Sequence, residues 1–267
     1  MRAGARWSGV QVLTAERRNV IEVFTGLAPG RFRRLLQAVE QAGGPELVAG
    51  RPGRPWSLPL ADRVLLVAVY YRTNLTMRQL APLFGISVAA VGRIIDRHGP
   101  WLALQPCRRR PRRDEVLIVD GTLVPTRDRT VSAPAKNYRY SANLQVVIEA
   151  DTRLVFIVGN PLPGNHNDCT AFGASGAEAA CGRALVVADG GYQGTSAIIP
   201  HRRSRGQDQL PDWKEEHNAS HRRVRARVEH VFARMKTWKI LRDCRRRGKG
   251  VYWAASGIAH MHNLACS

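Results

Sequence analysis

The chain is short of acids, of lysine, of cysteine and of long apolar runs, and each shortage excludes something. Its 267 residues hold 21 Asp and Glu against 41 Lys and Arg, a formal charge of +20 with a pI near 11.1. So large an excess speaks of partners rather than of fold, and a polyanion, nucleic acid first, is the partner it suits. Five of the 41 basic residues are Lys. Arginine forks phosphate oxygens well, but a GC-rich genome produces the same bias, so it decides little. The five cysteines (Cys107, Cys169, Cys181, Cys244 and Cys266) are scattered, odd in number and never spaced C-x-x-C. This argues against a disulfide framework and a zinc site, and a reducing compartment fits. "MRAGARWSGVQVL" has no long apolar core, so no signal peptide is expected. "RVLLVAVYY" at 63–71 is too short to span a bilayer. There is no P-loop, no G-x-G-x-x-G, no Ser–His–Asp or Cys–His set and no internal repeat. With 44% hydrophobic residues the chain can bury a real core. The expectation is a soluble, cytoplasmic, nucleoid-associated basic protein with no membrane partner.

Three textures follow one another. Residues 1–56 read as one or two short helices and a Gly/Pro-rich linker, "GGPELVAGRPGRPW". Residues 57–105 are helical. Ser57 and Asp62 suit the start of a first helix, strongly apolar over 60–71. Thr76 can cap a second, "MRQLAPLF"; Gly85 makes the turn; Ser87 can cap a third, "VAAVGRIIDRH". This is the helix-turn-helix pattern, in which the last helix lies in the major groove with Ser87, Ala89, Ala90 and Arg93 toward DNA. The spacing also suits an ordinary three-helix bundle, and the net charge tips the balance to DNA. Pro82 interrupts the second helix, and the third has few side chains that read base edges, so it positions more than it specifies. Residues 106–115, with "CRRRPRRDE", form a basic hinge. Residues 116–267 are mixed α/β: "VLIVDGTLV", "NLQVVIEA", "RLVFIVGN" and "ALVVADGG" are short β-type runs, and helical patterns lie near 167–180 and 217–241.

The informative residues are the acids that this basic chain keeps. Asp120 in "VLIVDGT" and Asp189 in "LVVADGG" each end an apolar run of strand character and precede glycine. A carboxylate there is costly to desolvate unless it is paired or holds a metal, and the glycine leaves room for a ligand. Glu229 is the third, alone in the basic helix "RVRARVEHVFARMKTWKIL" (223–241). Sites rich in oxygen ligands suit magnesium or manganese, and two such ions can clamp the attacking and leaving oxygens of a phosphodiester. A single Asp-Gly is most often a turn, and a lone helix Glu is most often solvated or a partner of the Arg four residues before it. It is the combination on one α/β region of a +20 chain that points to chemistry. Asp151 reads as a hairpin turn and Asp128 as loop. Asp168 in "NHNDCTAF" reads either as a helix N-cap or as a neighbour of the site. His166 reads equally as a hydrogen-bonded loop residue or as a catalytic group.

These residues resemble a known family. From about Leu58 to about Asp243, "RTNLTMRQLAPLFGIS", "VDGTLVP", "KNYRYSANLQVVIEADTRLVFIVGNPLPGNHND", "VVADGGYQG" and "NASHRRVRARVEHVFARMKTWKIL" are similar to DDE transposases of bacterial insertion sequences, in the insertion-sequence-five group. The last two motifs are the most specific. The resemblance implies an α/β catalytic domain with a ribonuclease-H-like mixed sheet flanked by helices, preceded by a small all-α helix-turn-helix domain. Three antiparallel strands come first in that fold, then a helix, then a strand parallel to the first. Residue by residue, Asp120 and Asp189 match the two catalytic, metal-holding aspartates and Glu229 the glutamate, with 39 residues between Asp189 and Glu229 (229 − 189 − 1). Lys236 matches the family's basic residue, and it and Arg225 are placed to contact phosphate. "NHND" departs from the simpler His-Asp of the family.

The implied reaction is metal-dependent cleavage of the element's ends and strand transfer into target DNA. It would use two magnesium or manganese ions, water and then a freed 3′-hydroxyl as nucleophiles, and no covalent protein–DNA intermediate. The implied partners are double-stranded DNA, as terminal inverted repeats and target, and further copies of the chain in a homo-oligomer on DNA. The basic runs at 108–113, 201–205, 221–227 and 245–249 would hold backbones. Two other readings compete: a non-catalytic DNA-binding regulator, and a metal-dependent nuclease of the same fold domesticated for another task.

Overall fold

Helix α3 (Leu60–Thr73) carries the most apolar run of the chain, and every residue in it from Asp62 to Tyr71 is buried. Asp62 lies in the first turn of α3, as its pattern suggests. It accepts hydrogen bonds from Gln11 Nε2 (2.7 Å), Thr14 Oγ1 (3.2 Å) and the Ala15 amide (2.7 Å), which ties the N-terminal segment down. Pro59, not Ser57, occupies the N-cap. The computed structural model describes residues 10–49, 55–103, 111–135 and 139–267. Residues 50–54 of the expected linker, half of the expected hinge, Cys107 and the "KNY" of one motif lie outside them.

The described chain divides into two units. The first takes residues up to 104 with Thr237–Leu241 and Trp253–Ser267; the second takes Gln105–Lys236 with Arg242–Tyr252. Most of the last helix, α9 (Gly250–Cys266), therefore falls in the first unit rather than with the 116–267 region of the sequence reading.

In the first unit, α1 (Arg18–Thr25) and α2 (Pro29–Ala49) precede α3. Helix α2 runs through "GGPELVA", which the composition marks as linker. Phe32, Leu35 and Val39, buried at helical spacing, anchor it, and such packing outweighs weak local propensity. The Thr76 hydroxyl caps α4 (Met77–Leu83) in a full capping box with Gln79. Gly85 turns the chain at φ +62°. The Ser87 hydroxyl accepts from the Ala90 amide (3.2 Å) and caps α5 (Val88–His98). Pro82 sits in the last turn of α4, one residue before its end, where it removes one backbone hydrogen bond of this short helix. Val91, Ile94, Ile95 and His98 bury one face of α5; Ser87, Ala89 and Arg93 are exposed and Ala90 is half-buried. Burial and the Arg63 charge push His98 down to about 4, so it stays neutral beside Arg63 Nη1 at 2.9 Å. Among the described residues no single helix is long and apolar enough to cross a membrane.

The second unit is a mixed sheet flanked by helices. Strand β1 (Val116–Pro125) runs antiparallel to β3 (Tyr140–Glu149), β3 antiparallel to β4 (Val155–Val158), and β6 (Leu185–Val187) parallel to β1. Two-residue strands β2 (Ala133–Pro134) and β5 (Leu162–Pro163) also pair with β3. Three antiparallel strands followed by a parallel one are the order expected of a ribonuclease-H-like sheet. The register sets the faces. Leu117, Val119 and Gly121 share a face with Gln145 and Val147, while Asp120 pairs with Val146 and points the other way. The first face packs on Phe172 of α6 (Asp168–Ala174), on Ala177 and Cys181 of α7 (Ala177–Cys181) and on Tyr192. The expected single helix over 167–180 is broken by Gly176 at φ +80°. Helix α8 (Asp212–Met235) starts after Pro211, earlier than its apolar pattern suggests, and buries Val228, Val231, Phe232 and Met235.

Candidate active site

Asp120 lies in the middle of β1, not at a strand end as the Asp-Gly pattern suggests; pairing with β3 continues to Pro125. Strand β6 pairs with β1 up to Ile118, two residues before Asp120. Asp120 Oδ1 accepts from the Gly121 amide (2.8 Å) and Oδ2 lies 3.7 Å from Arg225 Nη2 on α8. Burial pushes Asp120 up to about 6, opposed by the Arg225 charge and the Gly121 hydrogen bond and reinforced by the negative charges of Asp189 and Asp168. Asp189 follows β6 after one residue, Ala188. The Ala188 amide donates to Ile198 O (3.0 Å) and the Ile198 amide to Val186 O (2.7 Å), which fixes this segment. Asp189 Oδ1 accepts from the Gly191 amide (2.7 Å).

Asp168 joins them from the other face of β1. It is the first residue of α6, but Asn167 is the cap, its Oδ1 accepting from the Thr170 amide at 3.0 Å. Of the two readings of Asp168, the N-cap is therefore wrong. Its Oδ1 accepts from Asn143 Nδ2 (3.0 Å) and Gln145 Nε2 (3.2 Å). Tyr192, fully buried, donates to Gln145 Oε1 (2.6 Å). Burial and the charges of Asp168, Asp120 and Asp189 raise its hydroxyl far above the ordinary range, so it remains a donor.

The remaining expected residues are placed less centrally. Glu229 is exposed on α8, one turn beyond the Arg225 that meets Asp120. Among the described residues no three His, Cys, Asp or Glu side chains gather closely enough to hold an ion as they stand. Arg225 faces Asp120 rather than solvent, and its Nε is buried with no hydrogen-bond partner among the described residues. Lys236 caps the C-terminus of α8, its ammonium 5.9 Å from the Phe232 ring. His166 is exposed and engages Asn143 through its backbone carbonyl (3.2 Å). Arg202, from the 201–205 basic run, donates to Gly190 O. Asp151 stands in the β3–β4 turn and Asp128 in a loop, as read.

Sequence reasoning missed Asn143, Gln145 and Tyr192. A signal was available: in "ANLQVV" two amides alternate with apolar residues, which places both on one face of a buried strand. The partner of Arg225 had no such signal.

The chemistry of the donor set suits a hard divalent cation. Three carboxylates influence one another around Tyr192. A cradle lies between two of them: a Cβ on Gly191 would stand 2.9 Å from Asp189 Oδ1 and 3.8 Å from Asp168 Oδ2. Asp120, Asp189 and Asp168 fit such an ion by donor chemistry and not by their spacing as they stand, and Glu229 by family pattern alone.

The family described as "Transposase DDE domain" matches residues 111–264, and "Helix-turn-helix of DDE superfamily endonuclease" matches residues 56–107. The chain is 65% identical to a protein of Streptomyces albus G named as transposase for insertion sequence element IS112, over 95% of this chain and 98% of that one. It is 26% identical to one of Microchaete diplosiphon named as transposase for insertion sequence element IS702, over 72% of this chain and 75% of that one. No solved structure matches. With more than half of its length matched by the catalytic family and nearly all of it by a relative of the same kind, this chain belongs to the DDE transposases.

Proposed function

We propose that the chain cuts the terminal inverted repeats of an insertion sequence and joins the freed 3′ ends to target DNA. Asp120, Asp189 and Glu229 are its acids, and two magnesium or manganese ions its cofactors. Divalent-metal dependence comes with the family; the choice and number of ions belong to this reading. The observation that carries it is Asp120, a carboxyl 18% exposed and held at a raised pKa of about 6 beside two further aspartates. Burying an ionisable group among like charges is costly unless a cation offsets it.

When bound, the ions would offset charge on the scissile phosphodiester and favour its in-line displacement. The chain's own residues prepare the site. The Gly121 and Gly191 amides each fix one oxygen of a site aspartate, and the other oxygen of Asp120 faces Arg225. Arg225 balances Asp120 and limits its proton uptake. Glu229, exposed on the same helix, is open to an approaching DNA backbone.

DNA is bound through the helix-turn-helix, with Ser87, Ala89, Ala90 and Arg93 on its outer helix. A second basic surface lies in the catalytic unit: Arg127, Arg129, Arg245 and Arg247 line a cleft of about 660 Å³ with Asp128 as its one acid. That acid is held by the Gly248 amide (2.6 Å) and by Thr130, so it shapes the cleft. Joining two ends to a target requires more than one active site, and a homo-oligomer assembled on DNA provides them.

The test is a strand-transfer assay with a labelled element end. The native chain with magnesium or manganese should nick and join; Asp120→Asn should do neither. A regulator would bind and never cut, and a domesticated nuclease would cut without joining. Failure to cleave the correct ends with either ion would overturn the proposal.

A further inference from the structure

We propose that the first turn of α5 selects DNA by the methyl groups of thymine, packed against Val88 and Ala89, rather than by hydrogen bonds to base edges. This rests on the DNA-binding reading of the helix-turn-helix above.

The placement of α5 comes first. It is the last helix of the matched helix-turn-helix, capped by Ser87 after the turn at Gly85. Val91, Ile94, Ile95 and His98 hold one of its faces in the core of its unit, which fixes the direction of the other. In this motif the N-terminal residues of the last helix meet base edges in the major groove.

What that first turn offers is almost wholly apolar. Val88 is 43% exposed, Ala89 is exposed and Ala90 is half-buried. The Ser87 hydroxyl accepts from the Ala90 amide at 3.2 Å and keeps one proton to donate. The other polar side chains of α5 lie further along. Arg93 is exposed one turn on, and Asp96 is exposed near the far end. Arg97 places its guanidinium 5.9 Å from the centre of the Trp56 ring, and His98 is buried. Every base pair shows donors and acceptors in the major groove, but thymine alone adds an apolar group there, its C5 methyl. One valine and two alanines match that group and offer hydrogen bonds to no base. Their short side chains also let the helix backbone approach the groove floor, where such a methyl is within contact.

Val88 does little for the fold. Among the described residues of α3, α4 and α5 it is the one exposed large apolar side chain. A β-branched residue in a helix loses rotamer freedom that alanine does not. In water its apolar surface gains nothing; covered by a thymine methyl it does.

The test uses the full-length protein at fixed salt. Sites that it binds are selected from random duplexes, and each thymine of the selected site is replaced in turn by deoxyuridine, which pairs alike and lacks the methyl. Native affinity should fall about fourfold for each contacted methyl, the worth of one buried carbon. Val88→Ala should lose most of that preference at one such position and melt no lower than the native chain, because alanine is the better helix former. Arg93→Ala should weaken thymine and deoxyuridine duplexes by the same factor and keep the preference. A selected site without thymine, or no loss with deoxyuridine at any position, would overturn the inference. So would a preference that Val88→Ala keeps in full, since another part of the chain would then read the methyl. If no site is selected at all, the helix-turn-helix reading fails with it, and native binding alone tells the two failures apart.

Discussion

Asp120→Asn tests the electrostatic reasoning more directly than any activity measurement. Burial and neighbouring aspartates hold this carboxyl at about 6 against 3.8 for an ordinary aspartate, even with Arg225 at 3.7 Å. Because the folded-state value is the higher one, the folded protein keeps a proton that the unfolded chain releases. The group's contribution is fully present below about pH 4 and is lost as the pH rises through about 6. At 1.36 kcal/mol per pH unit, the ionised carboxylate costs the metal-free fold on the order of 3 kcal/mol at pH 7.5 and about 1 kcal/mol near pH 4.5. The neutral, isosteric asparagine removes that cost. Metal-free Asp120→Asn should therefore melt roughly 6–12 °C above the native chain at pH 7.5, with the gap shrinking toward pH 4.5. Manganese should close the gap by stabilising only the native chain, by about 2.7 kcal/mol at a hundredfold excess over Kd. Thermal melts in chelator and in manganese, at both pH values, read all of this. A variant no more stable than native at pH 7.5 would show that Asp120 is not strained, and the argument for a cation at this place would collapse.

The remaining expectations concern other residues. Gly121→Ala should abolish end cleavage and cost about 1–3 kcal/mol, because its Cβ overlaps Asp168 Oδ1; melting and cleavage assays check it, and a fully active variant would refute the packing argument. Glu229→Gln should bind DNA like the native chain and fail to cut it; retained cutting would end the family-based role of that residue. Paired Arg245→Ala and Arg247→Ala in the arginine cleft should weaken DNA binding and flatten the slope of log affinity against log salt by about 1.8 if both meet phosphates; an unchanged slope would remove the cleft from the DNA path. Thr76→Ala should cost about 1 kcal/mol by removing the α4 cap, read as a lower melting temperature with catalytic-site manganese binding intact.

Much of this protein is legible in its sequence because the physics involved is local. Thr76, Gly85 and Ser87 mark the helix-turn-helix through hydrogen bonds that span three residues. The β-branched runs give the strand order, and the stripe of Val228, Val231, Phe232 and Met235 gives the buried face of α8. Asp120 and Asp189 stand out because an acid ending an apolar run is unusual whatever the fold. What stayed hidden depends on pairing between distant segments. Asp120 proves to be mid-strand because β3 sets the register, and that register puts Asp120 toward Arg225 and Gly121 toward Asp168. Asn167 and Asp168 are adjacent and chemically alike, and the amides of β3, 22 to 25 residues earlier, decide which one caps and which one faces the site (167 − 145, 168 − 143). The match of Glu229 to a family motif says nothing of where the side chain stands; α8 packing leaves it exposed. Hydrogen-bond reach along a helix or strand can be read from spacing, but which faces of two strands meet is settled only when the sheet forms.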